Sequence, residues 1–186
     1  YHEGVLGDTR AGVYMPFDVF GHSMQLTQIL AKTRYQGCVW RKGNPPAEKW
    51  VGVTVPGLPP DFMNVSPDGS TLHHRREHYK AVSGTTSEQD LIDDVMRKIR
   101  TQNMLGWRAD FALLSSADFA YPEPWLAGHG AALKAHTPAI LLSGPAAYFE
   151  AIKKQADAGE ERLPEVARDF SLYHAGTALT RVNLKI

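Results

Sequence analysis

The apolar positions are most regular in the second half of the chain. Leu91, Ile92, Val95, Met96 and Ile99 recur at helical spacing and share one face. Ser87, with Asp90 three residues on, marks the start of that helix. Asp93/Arg97 and Asp94/Lys98 stand four apart on the other face, each acid ahead of its base, the favourable order for a surface helix. The run Ala109–Ser115 is apolar without alternation, as in a strand covered on both faces. Pro122 and Pro124 break the chain, and the small residues of Trp125–Ala135 predict a helix that packs close to a sheet. Pro138–Leu142 reads as a second buried strand. Pro145 then opens a helix whose inward face is Tyr148, Phe149, Ile152 and Ala156. Helices alternating with buried strands predict crossover units and a parallel sheet.

The first half is compatible with this pattern. Gly12–Met15 predicts a strand ending at Pro16, Val19–Lys32 a helix, and Gly37–Trp40 a strand. The helix would bury Phe20, Met24, Leu26, Ile29 and Leu30. Six prolines fall between Asn44 and Ser70 around Trp50–Val55, which predicts an insertion over 44–70 carrying one strand and a long ordered loop. Val182, Leu184 and Ile186 alternate with polar residues, as in an edge strand. The expected fold is one Rossmann-like or flavodoxin-like α/β domain over residues 1–186. Its sheet would be mostly parallel, with helices on both faces.

Composition narrows the class. The chain has 186 residues, 43% hydrophobic and 22% charged, with 20 basic and 20 acidic side chains. Zero formal charge argues against nucleic-acid binding by bulk electrostatics and against attachment to an anionic membrane. A lone Cys38 excludes an intrachain disulfide and a cysteine-based metal centre. No apolar run reaches the roughly 20 residues of a bilayer span. These features point to an intracellular protein of the cytoplasm or an organelle matrix, the mitochondrial matrix included. The chain begins at Tyr1 rather than Met, which suggests a processed, trimmed or incompletely reported start.

Three segments invite a chemical reading. Gly21-His22-Ser23-Met24 begins like the G-x-S-x-G elbow of hydrolases, but Gln25 stands where the tight turn needs glycine, so Ser23 reads as a helix-start serine. His74 and His78 have the spacing of a two-histidine helical metal site. Arg75 and Arg76 between them favour instead a solvated, anion-facing loop poised for phosphate or carboxylate, so no metal or cofactor is expected. Ser115, Ser116 and Asp118 follow a buried strand, where ligands of open α/β sheets bind. Glu123, held between two prolines, is the acid nearest that edge.

Residues 74–142 resemble the nucleoside 2-deoxyribosyltransferase group and its N-glycosidase relatives. The resemblance is carried by His74-Arg75-Arg76-Glu77, by Ala109–Leu114, and by Gly130–Leu133 with Pro138–Leu142. Val13-Tyr14-Met15-Pro16-Phe17 resembles the family's first strand and loop. It implies a pocket in which Tyr14, Arg75, Arg76 and Ser115 hold sugar and phosphate. The family's attacking glutamate would fall at Leu126 or Gly128, neither of which is an acid. Three expectations follow. The first is a catalytically silent domain serving as an accessory or structural subunit, with protein partners or copies of itself. The second is a nucleoside or nucleotide N-glycosidase using Glu123. The third is a nucleotide sensor without turnover.

Overall fold

The computed structural model describes residues 12–16, 19, 21–40, 49–50, 53–54, 59, 61–76, 80–81, 87, 89–90, 92–93, 96–97, 100, 114–115, 135, 144–160 and 162–170. The chain divides into two compact units, one of residues 1–76 and 149–186 and the other of residues 77–148.

The first unit is built on a mixed five-stranded sheet, an α/β arrangement. Strand β1 (Val13–Tyr14) leads through helix α1 (Gln25–Lys32) to β2 (Gly37–Trp40), which pairs parallel beside it. This is the crossover unit that the sequence predicts. Next come two two-residue strands, β3 (Lys49–Trp50) and β4 (Val53–Thr54), paired antiparallel with each other. Strand β5 (Asp61–Val65) turns back antiparallel into β6 (Thr71–Arg76), and β6 lies parallel to β2. Strand β9 (Glu165–Val166) closes the far edge parallel to β5, giving the order β1-β2-β6-β5-β9.

The β5–β6 hairpin corrects the reading of 44–70 as an insertion, because residues 61–65 are an inner strand of the main sheet. Its turn is built locally. The Ser66 and Gly69 amides donate to Ser70 and Ser66 carbonyls, and the Asp68 carboxylate accepts from the Ser70 amide at 3.0 Å. Gly69 takes φ 82°, a conformation that a side chain disfavours. The Ser66 hydroxyl donates to the Met24 carbonyl at 2.9 Å, tying the turn to the start of α1.

Helix α1 begins at Gln25, six residues later than expected. Gly21, at φ 141°, stands outside the helical region. His22 is drawn into the core, with its ring 5.1 Å from Trp40 and its carbonyl accepting from the Phe170 amide. The helix buries Thr27 and Leu30, while Ile29, expected inside, is 53% exposed. Thr27 is held inward by hydrogen bonds, and Ile29, about 200° further round the helix, is turned out. Helix α2 (Pro145–Asp157) opens on its proline as expected and buries Tyr148, Phe149 and Ile152, but Ala156 faces solvent. From Phe149 onward α2 belongs to the first unit.

In the second unit, β7 (Lys80–Ala81) pairs parallel with β8 (Leu114–Ser115). The Ser87 hydroxyl accepts from the Asp90 amide at 3.1 Å, ahead of helical positions 89, 90, 92, 93, 96, 97 and 100, of which Ile92 is buried, so the expected cap is present. Asp93 accepts from Gln89 Nε2 at 2.9 Å. Of the helix expected at 125–135 only Ala135 is described, and it is helical, while the strands expected at 138–142 and 182–186 lie outside the described residues. Among the described residues, no helix is long and apolar enough to cross a membrane.

Candidate functional site

The polar centre of the first unit is β6 itself. The segment Leu72–Arg76, expected as a solvated loop or a metal-binding helix, is an inner strand buried along its whole length. Consecutive side chains of a strand point to opposite faces, so the His-His-Arg-Arg run divides into two layers.

Leu72, His74 and Arg76 face α1. Their cross-strand partners are Asn64 and Phe62 on β5 and Cys38 and Trp40 on β2. The Trp40 indole donates from Nε1 to His74 Nδ1 at 3.1 Å. Indole nitrogen only donates, so His74 Nδ1 is bare and its proton sits on Nε2. That Nε2–H therefore donates to Thr27 Oγ1, 3.2 Å away, which also accepts from Asn64 Nδ2 at 2.7 Å. His74 is thus neutral, and burial first, then the nearby His22 and His73, hold its pKa down to about 3. Burial likewise lowers His22 to about 4. Trp40 is the hub of this layer. His22 and Phe170 lie 5.1 and 5.0 Å from it, and the Arg76 guanidinium lies 5.9 Å above its ring, within cation–π range.

His73 and Arg75 face the other way, with Asp61 across the strand from Arg75. Asp61 Oδ1 accepts from His73 Nε2 at 2.8 Å, and Oδ2 accepts from Arg75 Nη1. Burial pushes the Asp61 carboxyl upward. The His73 hydrogen bond and the charges of Arg75 and His73 outweigh it, leaving the group below the usual carboxylate range. Phe149 of α2 covers this layer, its ring 4.6 Å from His73. Helices therefore contact both faces of the sheet, α1 through Thr27 and α2 through Phe149.

The expected site residues are dispersed. Tyr14 ends β1, half-buried, with its ring edge-on to Tyr35 at 6.0 Å. It shares a row with Cys38 and His74. Arg75 and Arg76 are adjacent on β6 but on opposite faces, each 0% exposed. Ser115 ends β8 in the second unit. Ser116, Asp118 and Glu123 lie outside the described residues, as does His78.

Sequence reasoning missed Asp61, Thr27, Asn64 and Trp40 as the partners of β6. One signal was available. Asp61–Val65 and Thr71–Arg76 flank Ser-Pro-Asp-Gly-Ser, a hairpin signature that predicts two paired strands. Set against known proteins, the chain matches no family model and no curated sequence.

Proposed function

We propose that this chain is a Rossmann-like, deoxyribosyltransferase-like domain that has no catalysis of its own and serves as an accessory or structural subunit in a protein assembly. The observation that carries this reading is the burial of both arginines that a phosphate-binding role would need. Arg75 is committed to Asp61 and Arg76 lies against Trp40, each at 0% exposure. The uncharged residues at Leu126 and Gly128 support the same reading. The test is direct. Full-length protein is incubated with a panel of nucleosides and nucleotides, and free base is measured by chromatography. Light scattering then follows the natively purified material. The reading expects no base release and a stable oligomer or complex. Release abolished by Glu123→Gln would replace it with the N-glycosidase reading, and an inert monomer would remove the assembly role.

A ligand-binding reading has one observation in its favour. Strands β1, β2 and β6 run parallel, so their carboxyl ends, at Tyr14, Trp40 and Arg76, gather at one edge of the sheet. Open α/β sheets bind ligands at such an edge. Thermal stabilisation by nucleotides without product would favour this sensor role.

A further inference from the structure

The layer around Trp40 combines a fixed donor with two buried histidines. Trp40 Nε1–H points at His74 Nδ1, and His22 stands edge-on to the same indole at an interplanar angle of 80°. The two imidazoles are 1% and 6% exposed for His74 and His22 respectively. A proton added to His74 Nδ1 would place N–H against N–H and abolish the bond from Trp40. A charge on His22 or His74 would also join the Arg76 guanidinium already over the ring. Other charged or titratable groups near His74 include His73, Asp61 and Arg75 on the opposite face, the Cys38 thiol beside it in register, and Tyr14 one strand further along the same row. Thr27 from α1, Asn64 and Phe62 from β5, and Phe170 beyond β9 add no titrating group.

We propose that Trp40, His22 and His74 form an acid-operated latch in the first unit, closed while both histidines are neutral and opened by uptake of two protons. Opening detaches the pieces that meet on Trp40 and His74: the segment at His22, which lies against Trp40 and also holds Phe170 through its carbonyl, and α1, whose Thr27 is bonded to His74. The latch thereby couples the packing of the sheet to acidity in the range where a released histidine titrates. The lowered pKa values of both groups agree with this direction.

Cys38 reports on the latch, because it is fully buried next to His74 and is the chain's only thiol. Its modification by 4,4′-dithiodipyridine is followed in the full chain from pH 7 to 5. Rates are normalised to the denatured protein at each pH. An open-state histidine near pKa 6.5 raises the opening constant about eightfold between pH 6 and 5, so two give roughly 60-fold. In His22→Phe, which keeps an aromatic ring against Trp40, the rise falls to about eightfold. His73 and Asp61 are common to both proteins and cancel in the comparison. Nitrogen-15 NMR of the wild-type side chains at pH 7 gives a second measurement, expected to show His74 as the Nε2–H tautomer. A normalised rate that does not rise on acidification, equal slopes in the two proteins, or a His74 proton on Nδ1 would each overturn the proposal.

Discussion

Replacing Gly37 with alanine sets two effects of known size against each other. Gly37 begins β2, in register between Val13 and His73, and the Phe149 ring lies over it. A Cβ there would stand 2.7 Å from Phe149 Cζ and closer still to Cδ1 and Cε1. Gly37 is absent from the left-handed region, so its backbone would accept alanine. Gly→Ala at such a site stabilises by about 0.4–1 kcal/mol through the unfolded chain. Forcing extra volume into a packed core costs about 1–3 kcal/mol. Phe149 is 2% exposed and ring-packed on His73, so it has little freedom to yield. The clash wins, with a net loss of about 1–2 kcal/mol in urea denaturation of the full chain. Phe149→Ala alone should cost about 3–5 kcal/mol. In the double variant the added methyl no longer meets a ring, so the combined loss is smaller than the sum by the relieved clash, about 1–3 kcal/mol. A Gly37→Ala protein as stable as wild type, or an additive cycle, would refute this account of how α2 seats on the sheet.

Further substitutions test the polar interior and the surface. Asp61→Asn removes the charge that pairs with the buried Arg75 guanidinium, and breaking such a pair costs about 3–5 kcal/mol. Joint replacement by Asp61→Leu and Arg75→Met should cost less than Asp61→Asn alone, which urea denaturation of the three proteins decides. The stabilisation that Asp61 gives is present above the ordinary carboxylate pKa and is lost as pH falls through its lowered folded value, so it does not contribute to the acid response between pH 7 and 5. Lys32→Ala removes an exposed pair with Asp68, at 2.6 Å. Its effect on the denaturation midpoint should be slight and should vanish at high salt.

The elements legible in the sequence are those whose signal is local. The strand at Gly37–Trp40, the crossover through α1, the Ser87 cap and the proline start of α2 each rest on a few neighbouring residues. The helix boundary at Gln25 and the exposure of Ile29 were not legible, because both are set from a distance. His22 is taken out of the helix by Trp40, eighteen positions on, and Thr27 is turned inward by Asn64 and His74.

The same cause hid the candidate site. Four consecutive polar residues, His73 to Arg76, read as solvated, because burying them unpaired costs more than a domain can spare. Burial becomes affordable only when other strands supply the partners, here Asp61 for His73 and Arg75, and Trp40 and Thr27 for His74. Those partners are 12 to 47 positions away. Local polarity therefore measures the cost of burial but not its compensation. Arginines placed for a phosphate and arginines placed for a carboxylate of their own chain look alike until the strand order is known. That order puts Asp61 across from Arg75, and with it the guanidinium is engaged before any ligand arrives. A phosphate would have to displace a buried carboxylate that accepts from both Arg75 and His73.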